Sequence, residues 1–357
     1  MINIMAPINQ FGYGLTGINI IKSLSKITDV ALCPIGQPQV STQEDAEAVS
    51  QAISLSKMPD FSAPCIKIWH QFDMAQFFGK GLRIGFPIFE LDEFNPLEKH
   101  HLSSLDKILV CSQWAKEIIL NGIDVDESNV HVVPLGVDTN IFRPTPPTQR
   151  IDKTIFFNCG KWEVRKGHDI LSTAFNQAFS EKDDVELWMM CDNPFFSKEE
   201  QSEWISLYKG SKLGEKIHIV ERVQTQEEVY NVMAQTDCGI FPSRAEGWNL
   251  ELLEMMACGK QVIATNYSAH TEFCNPDNCR LINTDSWEKE AAYDGKWFHG
   301  QHGKWLKIEE QEIHAISKCM QEAHTTPKST NNAGIETSTQ YSWDNSASKI
   351  MEILQHV

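Results

Sequence analysis

Two carboxylates, Glu246 and Glu254, are the side chains of this chain that are best placed to do chemistry. They lie eight positions apart at the start of an apolar helical pattern, directly after the strand-like run 238–242. The turn between strand and helix offers backbone N–H groups and the positive end of a helix dipole, which is how α/β proteins bind phosphate. A phosphate site flanked by two acids that can bind hydroxyl groups indicates a sugar nucleotide as ligand. A surface loop with a capped helix, whose acids only favour the dipole, is the alternative that the spacing leaves open.

The elements that must position these acids alternate between short apolar runs and helical patterns, which is typical of parallel sheets covered by helices. The first half begins with strand-like segments 2–6 and 30–34, separated by a glycine-rich turn and a helical pattern. The alternation starts again at residue 154, after the proline-rich segment 143–152, where we place the domain linker. The pattern predicts two doubly wound parallel sheets in tandem.

These patterns divide the chain into three parts. We predict an N-terminal domain over residues 1–145, a second domain over 146–335, and a C-terminal helix within 336–357 whose return to the first domain is left open. The segment 285–305, rich in Trp, Gly, His and Lys, breaks the rhythm and is predicted to be an inserted hairpin or flap. Residues 331–340 are predicted to form a polar loop.

The composition argues against several classes of protein. The 357 residues allow two domains of ordinary size. A formal net charge of -17 without a long Lys/Arg cluster argues against nucleic-acid binding, which depends on neutralised phosphates. The ten cysteines show no zinc spacing, so we expect reduced core residues of a cytoplasmic protein. No apolar run approaches the ~20 residues of a membrane span, and peripheral membrane contact stays open.

Further candidates directly follow predicted strands, and ligands of doubly wound sheets bind at that end of the strands. They are the glycine-rich segment 12–17, His70, and the segment 160–167 with its two lysines. Each has a plain alternative when it is taken singly. The glycines would form an ordinary tight turn, and His70 would be an interior histidine with satisfied hydrogen bonds.

Together these segments resemble the retaining glycosyltransferases of family four, also called glycosyl transferases group 1. The matches follow the order of the family over nearly the whole chain. They comprise 131–144, Gly160-Lys161, Lys166-Gly167, Pro242-Ser243, Glu246-Gly247, Leu253-Glu254, Ala257-Cys258-Gly259, Ala264-Thr265 and Tyr341-Ser342-Trp343. The resemblance implies the GT-B fold, an α/β architecture of two Rossmann-like, doubly wound parallel-sheet domains that face a central cleft.

The resemblance also implies roles for residues of the second domain. Lys161 and Lys166 match the basic pair that grips the donor diphosphate, although the family commonly has Arg at the first position and Lys161 lacks its two-pronged geometry. Glu254 matches the acid that binds the ribose hydroxyls, and Glu246 matches the acid that faces the donor sugar. The phosphate site would be completed by the backbone N–H groups of Trp248, Asn249 and Leu250.

Three positions of the first domain match functional positions of the family. Gly14 lies in the loop that approaches the phosphate and the acceptor, and His70 matches a histidine near the donor sugar. Glu90 matches an acid that some members carry on the acceptor side, although a strand end running into a capped helix is the alternative there. The candidate catalytic residues are therefore Glu246, Lys166, Lys161 and His70.

The activity implied is transfer of a hexose, with retention of configuration, from a nucleoside-diphosphate sugar of the GDP-mannose or UDP-glucose type. The acceptor would be a hydroxyl group of a glycan or of a lipid-linked sugar, as in polysaccharide biosynthesis. In this family the leaving phosphate is thought to deprotonate the attacking hydroxyl, so we expect neither a metal nor a cofactor. A catalytically silent sugar-nucleotide-binding subunit and a GT-B epimerase are the alternatives.

Two other features stay outside this scheme. Asp124 and Asp126 have the Asp-x-Asp form that metal-dependent transferases use, but we interpret them as part of an exposed turn. In the predicted flap, Trp297 or Trp305 could stack on a sugar, and an ordinary hydrophobic cluster is the alternative for both.

Overall fold

The chain folds into two compact units. A computed structural model describes residues 1–148, 153–283, 288–298 and 303–355. The first unit comprises Met1–Asp138 and Gln340–Val357, and the second comprises Thr139–Thr339.

The division between the units lies at Asp138, upstream of the predicted boundary at 145/146. Residues 139–145 contact other parts of the second unit, as two examples show. The Arg143 guanidinium pairs with the Glu227 carboxylate at 2.7 Å, and the Thr145 N–H donates to the Cys258 carbonyl at 3.1 Å. The proline-rich segment therefore begins as part of the second unit.

The first unit contains one parallel sheet. Its strands are β1 (Ile2–Ala6), β2 (Val30–Pro34), β3 (Cys65–Trp69), β4 (Arg83–Pro87), β5 (Lys107–Val110) and β6 (Val130–Val132), and its first helices are α1 (Gly12–Ser25), α2 (Gln43–Leu55), α3 (Pro96–Ser103) and α4 (Gln113–Gly122). The strand order is β2-β1-β3-β4-β5-β6. Because β1 lies between β2 and β3, the chain reverses its winding direction there, and the segments after β1 and β3 emerge side by side.

The prediction of a turn at the glycine-rich segment is wrong. This segment forms the beginning of α1. The reason is close packing of this helix on the segment after β1. A Cβ on Gly14 would lie 2.3 Å from the Asn9 carbonyl oxygen, and one on Gly17 would lie 2.6 Å from that of Pro7. Only glycine allows the helix to approach the backbone so closely.

The second unit repeats the architecture. Its strands are β7 (Thr154–Cys159), β8 (Val185–Met190), β9 (Ile217–Ile219), β10 (Cys238–Phe241), β11 (Gln261–Thr265), β12 (Arg280–Ile282), β13 (Lys289–Ala291) and β14 (Lys304–Leu306). Its helices are α5 (His168–Ala178), α6 (Lys198–Lys209), α7 (Gln226–Ala234), α8 (Leu250–Ala257), α9 (His270–Phe273), α10 (Glu310–Thr325) and α11 (Asn332–Gln340). A parallel sheet has the order β12-β11-β10-β7-β8-β9, so its winding reverses between β7 and β10.

Two predictions about this unit have different outcomes. The hairpin predicted at 285–305 is confirmed in its described part, because β13 and β14 pair antiparallel outside the main sheet; residues 285–287 and 299–302 of this segment lie outside the described residues. The polar loop at 331–340 is wrong, because these residues form α11. The side chain of Asn331 accepts a hydrogen bond from the Gly334 N–H at 2.9 Å and thereby starts the helix without an apolar pattern.

The last helix, α12 (Trp343–Gln355), belongs to the first unit. The Val137 N–H donates to the Tyr341 carbonyl at 2.9 Å, and the Ser346 hydroxyl donates to the Pro134 carbonyl at 2.6 Å. Through these contacts the last residues return to the end of the 131–138 segment. Within the described ranges, none of the helices combines the length and the apolar character that crossing a bilayer requires.

We expect Gly136→Ala to destabilise the first unit, because a Cβ at this position would lie 2.2 Å from the Trp343 backbone nitrogen. Overpacking of this kind costs about 1–3 kcal/mol of the free energy of unfolding, which denaturant titration measures. Gly12→Ala is the matched control, since a Cβ there meets no atom within 4 Å. Equal stability of the two variants would contradict the docking of α12.

Candidate active site

Two neighbouring strands of the second unit end at the candidate site. Strand β7 pairs directly with β10, and the segments 160–167 and 242–249 follow them. The Arg244 N–H donates to the Arg165 carbonyl at 2.7 Å, so the two segments are joined by their backbones. Gly167 has a φ of 74°, and a Cβ there would lie 2.2 Å from the Pro242 carbonyl oxygen. A glycine is therefore required where the two segments touch.

Glu246 is buried at this junction, and both oxygens of its carboxylate are engaged. Oε2 accepts a hydrogen bond from Arg165 at 2.6 Å, and Oε1 accepts from Lys166 at 3.0 Å and from the Ser243 hydroxyl at 2.9 Å. Burial alone would raise the pKa of Glu246, but the charges of Arg165 and Lys166 outweigh it and hold that pKa well below its usual range. The side chain is a fixed carboxylate ion.

Arg165 is the residue of this site that sequence reasoning missed. Its side chain is 7% exposed and makes several charged and polar contacts. Nη1 donates to Glu246 and to the Ala245 carbonyl at 2.8 Å, while Nη2 donates to the Glu163 carboxylate at 2.8 Å. The sequence places Arg165 beside Lys166 but does not indicate that both side chains contact the same carboxylate.

Five side chains form a row of alternating charge in this part of the second unit. Lys161 pairs with Glu163 at 3.1 Å, Glu163 with Arg165, Arg165 with Glu246, and Glu246 with Lys166. The two lysines predicted to hold a diphosphate stand at the two ends of the row. The Lys161 side chain is 34% exposed and that of Lys166 is 11% exposed, whereas the three inner side chains are buried.

The turn before α8 is rigid. Asn249 has a left-handed backbone with φ of 88°, and its side-chain oxygen accepts from the Leu252 N–H at 3.2 Å. Its amide donates to His270 Nε2 at 2.9 Å, while His270 Nδ1 donates to the Thr265 carbonyl at 2.9 Å. Burial lowers the pKa of His270, which favours the neutral ring that this pattern requires. The residues predicted to offer N–H groups, Trp248, Asn249 and Leu250, thus form a buried, braced helix start.

Glu254 lies one turn further along α8 and has the opposite electrostatic environment. It is 7% exposed, and its carboxyl group has no hydrogen-bond partner among the residues that the structure describes. Burial, reinforced by the charge of Glu251, raises the pKa of Glu254 well above its usual range. A buried acid without a partner is costly to the fold, so this group is suited to a ligand that supplies hydroxyl donors.

The candidate residues of the first unit lie where its winding reverses. Tyr13 lies in the first turn of α1, and His70 directly follows β3. The Tyr13 hydroxyl is 3.1 Å from His70 Nδ1. The ring of His70 also stacks on that of Phe72, with centroids 4.9 Å apart and planes inclined by 11°. Gly14 is one residue from Tyr13, so the structure brings the predicted Gly14 and His70 positions together.

Glu90 is half-buried in the segment between β4 and α3. Strand β4 is the neighbour of β3 in the sheet. The helix that follows is capped by Asn95, whose side chain accepts from the Glu98 N–H at 3.0 Å. The capped-helix interpretation of this segment therefore holds locally, and an acceptor role for Glu90 stays a prediction.

The two tryptophans of the hairpin segment differ in environment. Trp305 is 1% exposed and packs against Phe298, with ring centroids 5.2 Å apart, so it is part of a hydrophobic cluster. Trp297 is 40% exposed, and its ring centroid lies 5.8 Å from that of Phe195.

Asp126 accepts from the Ser128 N–H at 2.8 Å in an exposed turn, as predicted. Over the described ranges, His, Cys, Asp and Glu nowhere gather into a group of three or more that could hold a metal ion.

Comparisons with known proteins agree with this architecture. The Phosphatidylinositol N-acetylglucosaminyltransferase GPI3 subunit of Saccharomyces cerevisiae is 25% identical over 177 residues, which cover 48% of this chain and 38% of that protein. An MMP alpha-(1->4)-mannosyltransferase of Mycolicibacterium hassiacum is 27% identical over 205 residues, which cover 57% of this chain and 48% of that protein. The chain thus spans less than half the length of these two relatives.

A superposed structure and a family model also agree with this architecture. A crystal structure of Anabaena HepE in complex with UDP and glucose superposes with a TM-score of 0.67 at 16% identity, and covers 100% of this chain and 99% of that one. Residues 152–293, which contain the row of charges and α8, match the model of the family described as Glycosyl transferases group 1. The chain has the GT-B fold, and its residues 152–293 are similar to the glycosyl transferases of group 1.

Proposed function

We propose that this chain is a glycosyltransferase that moves a hexose, with retention of configuration, from a nucleoside-diphosphate sugar to a hydroxyl group of a glycan or lipid-linked acceptor. One observation carries the proposal: the row of alternating charge has a lysine at each end, and one of them, Lys166, pairs with Glu246 in the turn that leads into α8. Two cations and a helix N-terminus together suit a diphosphate.

The environment of Glu254 supports a nucleoside as the group next to that diphosphate. Its carboxyl group lacks a partner among the described residues and is buried one turn beyond the N-terminus of α8. The two hydroxyl groups of a ribose would donate to its two oxygens and favour the ionised form. Binding the ligand would thereby relieve the electrostatic cost of a buried acid.

Glu246 has a different part in the proposed reaction. Its two oxygens already accept hydrogen bonds from Arg165, Lys166 and Ser243, so it is a poor nucleophile and cannot take up a proton readily. We assign it the task of orienting the donor sugar and of holding the Lys166 ammonium in place until the donor binds. A covalent glycosyl intermediate on this residue is not part of the scheme.

The chemical step then takes place on the donor. The bond between the anomeric carbon and the diphosphate oxygen breaks, and the acceptor oxygen bonds to the same face of that carbon. The proton of the acceptor hydroxyl passes to the departing phosphate. Lys161 and Lys166 stabilise the negative charge that grows on the leaving group, which is catalysis by preorganised cations. The scheme needs no metal ion and no cofactor.

The donor base and sugar are proposed only as a class. One relative is named as a mannosyltransferase and one superposed structure holds UDP and glucose, so donors of the GDP-mannose and the UDP-glucose type are both candidates. The parts assigned to Gly14, His70 and Glu90, and a cytoplasmic location, stay predictions.

We expect the purified protein to release nucleoside diphosphate from one of these donors, and Lys166→Ala and Glu246→Gln to lower the rate by about 100-fold or more. The measurement is a coupled assay for the released diphosphate. Lys260→Ala is the matched control, because Lys260 is a buried lysine of the same unit whose Nζ donates to the Ala234 carbonyl at 2.8 Å, away from the row. Normal turnover by both site variants would refute the assignment, and donor binding without any turnover would favour the silent subunit.

We expect Glu254→Gln to stabilise the empty protein while weakening nucleotide binding. The pKa of Glu254 is raised in the folded chain, so its contribution to stability is present below the unfolded pKa and is lost as pH rises. The variant should therefore gain on the order of 1 kcal/mol at pH 8, and the gain should vanish near pH 4.

Thermal unfolding across this pH range and calorimetric binding of UDP and GDP provide the two measurements. Glu336→Gln, an exposed acid of the same unit, should change neither quantity. Inorganic pyrophosphate should bind the Glu254 variant as it binds the wild type. Unchanged nucleotide affinity would show that Glu254 does not contact the nucleoside.

We expect a thermal-shift panel of sugar nucleotides to identify the donor. A ligand that binds only the folded chain raises stability by RT ln(1 + [L]/Kd), about 2.7 kcal/mol at a hundredfold excess over Kd. The preferred base should separate GDP from UDP donors, and the preferred sugar should separate donors within one base. No stabilisation by any donor would speak against a nucleotide-sugar site.

A further inference from the structure

We propose that Arg165 is a positioning residue that keeps Glu246 paired, so that Lys166 is released to bind the diphosphate of the donor. The inference rests on the proposed function in one respect, the identity of that diphosphate. Neither the family resemblance nor the comparisons assign a part to Arg165.

The contacts of the two cations of Glu246 differ in kind. The Arg165 guanidinium donates to Glu163, to Glu246 and to the Ala245 carbonyl. The Lys166 Nζ, which has three donors, donates within the described residues to Glu246 alone, at 3.0 Å. A rotamer change of Lys166 therefore breaks one hydrogen bond, whereas a movement of Arg165 would break its ion pairs with both Glu163 and Glu246.

If Lys166 were the sole charged partner of Glu246, its movement to a phosphate would cost considerable free energy. The carboxylate is 4% exposed, and breaking a buried pair by removing one partner leaves an uncompensated charge in a low dielectric. The ion pair of 2.6 Å with Arg165 removes this obstacle, because Glu246 keeps a guanidinium partner when Lys166 turns to a phosphate oxygen. The arginine thus makes the lysine available.

Arg165 also compensates Glu163, the partner of Lys161 at the other end of the row. It shares Glu163 with Lys161, whose ammonium pairs with the second oxygen of that carboxylate at 3.1 Å. Lys161 can then move toward a phosphate without leaving Glu163 unpaired. A single planar guanidinium compensates both carboxylates, and its rigid fork sets the spacing of the two lysines.

The test is a double-mutant cycle between Arg165→Met and Glu246→Gln, with inorganic pyrophosphate as the calorimetric probe. In the wild-type background, Arg165→Met should weaken pyrophosphate binding by about tenfold or more, because Lys166 is then retained by Glu246. In the Glu246→Gln background, the same change should weaken binding less than about threefold, because the carboxylate that retains Lys166 is absent and only Glu163 is left to compensate. Arg165→Lys, which keeps the charge, should restore part of the affinity.

Simple loss of one positive charge, or a purely structural role, predicts a different cycle. Arg165→Met would then weaken pyrophosphate binding by the same factor in both backgrounds, and this additive outcome would overturn the inference. Absence of pyrophosphate binding by the wild type would also overturn it. Arg244→Met controls for loss of a buried arginine, since Arg244 forms a bidentate pair with Asp169 at 2.7 and 2.8 Å and should alter stability without altering pyrophosphate affinity.

The inference and the proposed function can fail separately. Wild-type protein that turns over no sugar nucleotide, together with a non-additive cycle, would reject the function and leave the counter-ion role in place. Normal turnover together with an additive cycle would do the reverse.

Discussion

The cost of burying charge is the constraint on which the site of the second unit depends. Three buried ions, Glu163, Arg165 and Glu246, can exist there only because each is paired on both sides or hydrogen-bonded. That requirement fixes the two segments after β7 and β10 relative to each other. It also accounts for the backbone hydrogen bond between Arg244 and Arg165, and for a glycine at 167 where the segments touch.

The same chemistry gives two glutamates of one strand-turn-helix opposite properties. Glu246 is surrounded by donors and has a lowered pKa, while Glu254 is buried without a partner in the described chain and has a raised one. Partners stabilise the ionised form of the first, whereas burial of the second as an ion is costly, and we propose that ligand hydroxyl groups offset this cost. This division between a preorganised charge and a group relieved by binding is typical of sites whose residues hold different portions of a ligand.

Several features could be predicted from the sequence because they depend on local pattern. The alternation of short apolar runs and helical patterns gave the parallel sheets, and the break in that rhythm gave the hairpin of β13 and β14. Predictions failed where one side chain or a close backbone approach decided the structure. Helix α11 has no apolar stripe and begins because the Asn331 side chain accepts a backbone N–H, and α1 starts at Gly12 because its glycines pack against the segment after β1. Arg165 was missed because spacing alone does not show that the residue beside Lys166 also contacts Glu246.

By itself the sequence determined which residues follow which strand, since that order is covalent and the strands are marked by their apolar runs. It also placed Lys161, Lys166, Glu246 and Glu254 in the order of a known family. Only the tertiary structure decided that β10 pairs with β7, which brings Glu246 to Arg165 across about 80 residues of chain. The pKa of each acid was decided there too, because a pKa depends on burial and on neighbouring charges that the linear order does not contain.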